Sequence, residues 1–371
     1  MQRLLITLSD MKKRLFLVGA VLALITLIVI SGCSKNKGED EASTTEVATK
    51  NVQNPKGVGR VYYDLFDTVS YIYSYKGDSE EEFTENCDMV YYLLQKYHIL
   101  FDIYHEYSGV NNLCTLNKNA GGDYLDVDPL LMDFLLYAKK MNELTNGEMD
   151  VMMGSVLSLW HEGRNSNPPY IPEKEALENA KNYIGFDYLD IDEENNRVRI
   201  NDSNASIDVG ALGKGYATEK AAELLEEKGI SSYVLNIGGN IRIIGTKLDG
   251  SGWSTGIRDP KNPDSAFAIT IEVKDTAVVT SGSYERYFVV DGVKYPHIID
   301  KDTLYPAVYY DSLTVITKDS GLADCLSTAL YCMPLDEGKK LVDSLDGVDC
   351  IWIESDGNIE MTDRVKDLVV K

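Results

Sequence analysis

The stretch IDVGALGKGYATEK (residues 207–220) places three glycines around one lysine, and an amphipathic segment follows directly. Glycines let the backbone approach a ligand closely, and a helix beginning there would present free amides to an anion. The spacing is not that of a nucleotide-binding loop, because Lys214 precedes Gly215 rather than Ser or Thr, and the glycine order differs from the dinucleotide fingerprint. Two interpretations stay open on these residues alone: an anion site, or an ordinary glycine-rich turn with Lys214 in solvent.

The segments around this loop predict a mixture of helices and short strands. Residues 214–228 have the pattern of an amphipathic helix closed by Gly229, and residues 232–236 are typical of a strand that runs into a glycine pair. Because strands and helices do not alternate regularly, the sequence predicts an α+β fold with a largely antiparallel sheet. Other predicted helices are residues 79–101, 128–145, 172–180, 322–332 and 337–345; other predicted strands are residues 61–75, 188–200 as a hairpin, 241–246, several between 253 and 316, and 350–354 as the last.

The N-terminus has the pattern of a lipoprotein signal peptide. A basic group at residues 11–14 precedes an apolar run to Ile30, too short for a comfortable membrane span, and Ser31-Gly32 lead into Cys33. We expect residues 1–32 to be the signal peptide, Cys33 to be lipidated and residues 33–56 to be a flexible tether. The protein would then be lipid-anchored at the extracytoplasmic face of a bacterial membrane; an uncleaved anchor helix is the alternative. The start stays open between Met1 and Met11, and Met11 would open a cleaner signal.

Composition excludes several classes of function. The formal net charge of −23 argues against nucleic-acid binding and implies that a bound polyphosphate needs a metal ion or backbone amides to offset repulsion. The cysteines other than Cys33 lack metal-site spacing, and four histidines make a multi-histidine metal site improbable.

Two further features could carry chemistry. Asp324 and Thr328 are four residues apart on one predicted helix face, and their hard oxygens suit Mg²⁺; the alternative is a capping Asp and a Thr bonded to its own helix. His297 lies among apolar strand residues, where it could be a satisfied core histidine or a general base. Residues 146–150 and 236–240 are turns that indicate little by themselves.

Taken together and in this order, the segments resemble the FAD:protein FMN transferase (ApbE) family over about residues 61–354. No single segment is decisive, but eight in the right order are specific. They are Phe66-Asp67-Thr68, residues 104–108 with Leu116-Asn117, and residues 146–150, 208–217, 236–240, 281–288, 297–300 and 323–329.

The resemblance implies a fold, a reaction and a set of site residues. The fold is one α+β, T-fold-related domain of two closely packed lobes over residues 57–371. The reaction splits FAD at its pyrophosphate, joins FMN to a Thr or Ser hydroxyl of an acceptor flavoprotein and releases AMP; such acceptors are often subunits of membrane redox complexes. Mg²⁺ would be held by Ala211, Asp324 and Thr328, with Asp324 and His297 catalytic and His297 the base. Residues expected to lie against FAD are Phe66, Tyr104, Glu148, Met149, Asp150, Asp208, Lys214 and Ile298.

Two loops depart from the family pattern. Val151 follows Asp150 where the family commonly has Pro, and residues 300–306 lack the Pro and Gly usual after the histidine. These departures bear on efficiency and acceptor choice more than on reaction class. Two other functions stay open: hydrolysis of FAD to FMN and AMP, and flavin binding by a lipoprotein without catalysis.

Overall fold

An eight-stranded antiparallel sheet forms the centre of the structure, a computed structural model that describes residues 57–262, 264 and 267–370. The strands are β1 (Val58–Leu65), β2 (Thr68–Ser74), β3 (Leu125–Asp126), β4 (Leu189–Asp192), β5 (Arg197–Ile200), β6 (Tyr233–Ile237), β7 (Asn240–Ile244), β8 (Trp253–Arg258), β9 (Phe267–Val273), β10 (Ala277–Gly282), β11 (Tyr287–Val290), β12 (Val293–Pro296), β13 (Tyr310–Thr317), β14 (Asp349–Glu354) and β15 (Ile359–Met361). The central sheet has the order β1-β2-β6-β7-β10-β13-β14-β15. Smaller sheets are β3-β5-β4, β8-β9 and β11-β12.

Four of the helices in the described residues begin at a side-chain cap. The helices are α1 (Glu80–Phe101), α2 (Leu113–Lys118), α3 (Pro129–Leu144), α4 (Gly154–Asn165), α5 (Lys174–Lys181), α6 (Gly213–Glu227), α7 (Ser320–Tyr331), α8 (Leu335–Asp343) and α9 (Asp363–Leu368). The capped helices are α1, α2, α3 and α7. Ser79 and Glu82 form a capping box at the start of α1, and Asp128 accepts the Leu130 N–H before Pro129 opens α3. These caps satisfy amides that have no partner within their helix.

The two faces of the central sheet bury two separate apolar cores. On β14, Cys350 and Trp352 point into the main core, while Ile351 and Ile353 point into the second. This alternation is the two-residue period of a strand. Helices α1, α6 and α7 contribute to the main core, and the β8-β9 hairpin with α9 covers the other face. The sheet is therefore an interior layer.

A smaller apolar cluster fixes α4 against the β11-β12 hairpin. Trp160 of α4 packs against Phe288 and Tyr295 of the hairpin, and its indole N–H donates to the Leu304 carbonyl at 3.0 Å. A buried Trp whose N–H is paired is a stable anchor. The hairpin and α4 are thus held together next to the loop that contains His297.

The predicted fold class is confirmed, and several predicted boundaries are wrong. Residues 61–75 form a hairpin rather than one strand, because Phe66 and Asp67 adopt φ of 53° and 49° and reverse the chain. Strand β14 is followed by β15 and is not the last. Helices α2 and α4 were not predicted. Helix α7 begins two residues before the predicted start, with Asp319 as its cap, so Asp324 is no capping residue.

The described residues belong to one compact unit. The predicted division into two lobes stays a prediction. The signal peptide, Cys33 and the tether lie outside the described residues. Among the described residues, no helix has the length and apolar character needed to cross a bilayer.

Candidate active site

The glycine-rich loop turns back on itself before α6 begins. The Asp208 carboxylate accepts the Gly210 N–H at 2.9 Å, and the Lys214 ammonium donates to the Gly210 carbonyl at 3.0 Å. Helix α6 starts at Gly213 without a side-chain cap. Lys214 is half-buried, and among the described residues it has no carboxylate within ion-pair distance. The loop therefore brings a cation without a carboxylate partner to the start of α6, which suits an anion.

Gly215 brings α6 into contact with α7 at Asp324. The Gly215 N–H donates to Oδ2 of Asp324 at 2.7 Å. A Cβ at position 215 would lie 2.3 Å from the Asp324 Cβ and 2.4 Å from the Ser320 carbonyl. No side chain fits in that space, so glycine is required for this approach. The predicted loop and the predicted helix face thus meet.

Asp324 is a buried carboxylate that lacks an ion-pair partner within the described residues. It is 6% exposed, and its carboxylate accepts the Gly215 N–H. Burial raises the pKa of Asp324, whereas the Lys214 charge, the Gly215 hydrogen bond and the Asn240 side chain lower it. Buried carboxylates are normally paired or bound to metal. This environment fits a cation next to Asp324.

The neighbouring oxygens have the chemistry that Mg²⁺ prefers. Thr328 follows Asp324 by one turn of α7 and is half-buried, and its hydroxyl makes no hydrogen bond to another described residue. Ala211 lies in the loop just before α6 and is half-buried. The described chain contains no group of three or more His, Cys, Asp or Glu side chains arranged for a metal. A site of one carboxylate, one hydroxyl and one carbonyl does not need such a group.

His297 is exposed, so the alternative of a core histidine is wrong. Its backbone N–H and its Nδ1 both lie 3.1 Å from the Arg286 carbonyl, directly after β12 ends. A carbonyl oxygen only accepts hydrogen bonds, so Nδ1 must carry the proton. The neutral ring therefore has its lone pair on Nε2, the atom that can act as a base.

The surroundings of His297 keep its imidazole neutral. Loss of hydration lowers the pKa of His297 to about 4, although the side chain remains reachable from solvent. The Arg286 hydrogen bond opposes this shift, and the charges of Arg286, Lys214 and Arg164 add to it. Three cations therefore act on one position in an acidic protein. The accessible surface establishes that a reactant can reach the ring.

Tyr104 and Asp208 are connected by a histidine that sequence reasoning missed. His161 Nδ1 lies 3.4 Å from the Tyr104 hydroxyl and 3.8 Å from Asp208 Oδ2. Desolvation lowers the pKa of His161, whereas the charge of Asp208 raises it. Tyr104 is 55% exposed, so its ring is available to a ligand. His161 has no motif of its own, and the unpredicted α4 carries it.

Residues 148–150 lie next to the glycine-rich loop but differ in exposure. Glu148 forms an ion pair with Lys301 at 3.2 Å, Met149 is buried, and Asp150 accepts the Met152 N–H at 2.8 Å. Burial raises the pKa of Asp150 and of Glu148. The Asp208 N–H donates to the carbonyl of Val151 at 2.8 Å, which joins the two segments. Their contacts with FAD stay predictions.

Phe66 is half-buried at a turn, whereas Ile298 is buried in the main core. Phe66 lies at the β1-β2 turn, its N–H donates to Nδ1 of His98 at 3.0 Å, and its half-buried ring packs edge-on against that imidazole. Arg286 donates to the neighbouring Asp67 carbonyl at 3.4 Å, which links this turn to the His297 loop. Ile298 is 7% exposed and belongs to the main core, so it offers little surface to a ligand.

Comparison with known proteins gives one consistent family. Residues 73–352 match the model of the ApbE family. The chain is 30% identical over 271 residues to the FAD:protein FMN transferase of Treponema pallidum (strain Nichols), covering 69% of this chain and 74% of that protein. It is 31% identical over 235 residues to the FAD:protein FMN transferase of Vibrio cholerae, covering 63% and 70%.

Solved structures agree with the sequence relatives. The ApbE protein from Thermotoga maritima superposes with a TM-score of 0.76 at 28% identity, covering 85% of this chain and all of that one. The flavin transferase ApbE from Vibrio cholerae superposes with a TM-score of 0.71 at 26% identity, covering 84% and 99%. The match spans the glycine-rich loop, the His297 loop and the Asp324 helix, and this chain belongs to the ApbE family.

Proposed function

We propose that this protein is an FAD:protein FMN transferase that requires Mg²⁺. The observation that carries the proposal is the buried Asp324, which has no ion-pair partner among the described residues and lies beside the glycine-rich loop. The charge of Lys214 acts on both Asp324 and His297. A metal ion with several cations matches a diphosphate substrate in a chain of net charge −23. The activity named for the relatives in Treponema pallidum and Vibrio cholerae supports the same reaction.

The residues that would hold Mg²⁺ are Asp324, Thr328 and the Ala211 carbonyl. When bound, the ion would neutralise charge on the diphosphate and on the departing AMP. Lys214 is placed to add a second positive charge from the loop side. Gly215 holds one oxygen of Asp324 and leaves Oδ1 for the ion.

His297 is the base in this proposal. The acceptor hydroxyl oxygen bonds to the phosphorus of the FMN half, and the bond from that phosphorus to the bridging oxygen breaks. The hydroxyl proton passes to Nε2 of His297, and AMP leaves with the bridging oxygen. Because the Arg286 carbonyl fixes the proton on Nδ1, Nε2 is the free position in the neutral ring.

Transfer to an added acceptor tests the function. The protein, FAD, Mg²⁺ and a flavin-accepting protein are mixed, and covalent flavin is detected by in-gel fluorescence after denaturation. We expect labelled acceptor, one AMP per flavin transferred and no label after chelation with EDTA. Free FMN with unlabelled acceptor would instead establish hydrolysis. Intact bound FAD after prolonged incubation with Mg²⁺ would establish a carrier.

The cellular setting is part of the same proposal. Residues 1–32 would be a signal peptide, Cys33 a lipidated N-terminus, residues 33–56 a tether and residues 57–371 the catalytic domain at the extracytoplasmic face of the membrane. The apolar run that stops at Ser31-Gly32-Cys33 supports this. The acceptor would be a flavoprotein subunit of a membrane redox complex, which the tethered domain could reach.

A further inference from the structure

Two arginines differ from all the others in the described part of the chain. Six of the eight arginines there form ion pairs with carboxylates: Arg60, Arg197, Arg199, Arg242, Arg258 and Arg364. Arg164 and Arg286 have no carboxylate within ion-pair distance among the described residues. In a sequence with 59 acidic residues, these two arginines are available to pair with an external anion.

Arg164 lies in the last turn of α4. It follows Trp160 by four residues and His161 by three, so it shares their side of α4. Trp160 anchors that side to the β11-β12 hairpin, and His161 reaches Tyr104 and Asp208. The half-buried Arg164 side chain makes one hydrogen bond, to Asn165 at 3.5 Å. Its guanidinium therefore has unused donors.

Arg286 lies directly before β11 and next to the loop that contains His297. Its backbone carbonyl holds His297, and its guanidinium donates to the Asp67 carbonyl at 3.4 Å. That hydrogen bond uses one of five donors. Desolvation and the charge of Asp208 raise the pKa of Tyr104, and the charges of Arg164 and Arg286 oppose that rise. The same two charges lower the pKa of His297, so both arginines act on these two groups.

We propose that Arg164 and Arg286 form a phosphate-binding subsite for the dinucleotide, between Tyr104 and His297 and separate from the Asp324–Thr328 metal position. This rests on the proposed function, because it assigns the unused guanidinium donors to the diphosphate of FAD. A planar guanidinium binds two phosphate oxygens at once, which fixes orientation as well as charge. The phosphate belongs either to the AMP half or to the FMN half.

Binding measurements with four ligands test the subsite. Calorimetric titrations of FAD, FMN, AMP and riboflavin are made in EDTA, so that no turnover occurs, with Arg164→Gln, Arg164→Lys and Arg286→Gln. We expect each Gln variant to bind FAD about tenfold more weakly, since charge-assisted hydrogen bonds are lost. Riboflavin, which has no phosphate, should bind unchanged. A loss for AMP alone or FMN alone identifies the half that the arginines contact.

Arg60→Gln is the matched control. It removes the same positive charge from Arg60 of β1, which forms an ion pair with Asp88 of α1. It should bind all four ligands like the parent. Unchanged FAD affinity in Arg164→Gln would overturn the subsite, and so would an equal loss for riboflavin, which would indicate a disturbed fold. Failure of the parent protein to label an acceptor would contradict the proposed function. The binding measurements would still decide whether the two arginines bind phosphate.

Arg164→Lys and a salt titration keep the proposal testable if a Gln variant does not fold. The lysine keeps the positive charge but cannot form the two parallel hydrogen bonds of a guanidinium. FAD affinity should therefore fall by less than in Arg164→Gln. Added KCl should weaken FAD binding to the parent if local cations hold the phosphates. If the net charge of −23 dominated instead, screening would strengthen binding. Salt-strengthened binding, or a lysine variant identical to the parent, would overturn the subsite.

Discussion

At Asp324, the proposed metal binding would be linked to the stability of the fold. Asp324→Asn removes the charge but keeps an oxygen that can accept the Gly215 N–H. In EDTA, we expect the variant to unfold at the same temperature as the parent or higher, because a buried unpaired charge is destabilising. Saturating Mg²⁺ should stabilise the parent by about 2 to 3 kcal/mol and leave the variant unchanged. Thermal unfolding with and without Mg²⁺ measures both effects, and equal stabilisation of the two proteins would contradict the assignment.

His297 gives a prediction about pH. A base reacts when it is unprotonated, and the pKa of His297 is lowered to about 4 by desolvation and nearby cations. The kcat/KM for FAD, which reports the free enzyme, should therefore stay level from pH 8 to about 5 and fall as the pH drops through about 4. His297→Gln should slow transfer by about two to four orders of magnitude and remove this acid limb. A fall in kcat/KM near the ordinary pKa of histidine would show that the His297 ring is not desolvated.

At the scale of elements, the close contact between α6 and α7 depends on the absence of a side chain at Gly215. Gly215→Ala would force a Cβ to within 2.3 Å of Asp324, so the helices must separate. We expect about 2 to 3 kcal/mol lower stability and loss of transfer, since overpacking destabilises by about this amount. Gly338→Ala on α8 is the control, because its nearest neighbour would be an ordinary 3.4 Å away. Chemical denaturation should show Gly338→Ala to be neutral or slightly stabilising.

A buried ion network behind the site connects α6, α7 and the central sheet. Arg242 of β7 is fully buried and pairs with Glu219 and Glu226 of α6, while Glu219 accepts the Ser320 N–H at the start of α7. Arg242→Met should lower stability by about 3 to 5 kcal/mol, because it leaves Glu219 buried and unpaired. Adding Glu219→Gln should restore part of that loss. A double-mutant cycle by denaturation measures the coupling, and strictly additive effects would contradict it.

Elements with strong local signals could be predicted, and those fixed by distant contacts could not. The capping signals located α1 and α3 because caps are local. The β1-β2 turn was not predicted because Phe66 and Asp67 adopt left-handed φ although neither is glycine. The alternating sequence pattern of a strand continues through them. Helix α4 contains two glycines whose close contacts, with Ser206 and with Tyr170, are tertiary. His161 and Arg164 were missed with it.

At the scale of the whole molecule, the motifs predicted the parts of the site but not their assembly. The Asp324 helix face and the glycine-rich loop were identified as separate segments, and the structure joins them through Gly215. Whether an arginine has a carboxylate partner depends on the complete fold. The unpaired state of Arg164 and Arg286 therefore had no signal in the sequence.

Membrane attachment is a property of the whole chain. If Cys33 carries the lipid, Cys33→Ala should shift the protein from the membrane fraction to the soluble extracytoplasmic fraction of cells. Transfer to a soluble acceptor fragment should be unchanged, because the substitution leaves residues 57–370 intact. Cell fractionation with in-gel flavin detection measures both, and an unchanged membrane fraction for Cys33→Ala would contradict the lipid anchor.

The pairing of β2 with β6 joins strands from distant parts of the chain, and the helix with Asp324 comes later still. A ribosome therefore completes the glycine-rich loop well before it synthesises the carboxylate that faces it. A chain that ends before α7 lacks this carboxylate altogether. The proposed metal position is therefore complete only when α7 has packed against α6 at Gly215.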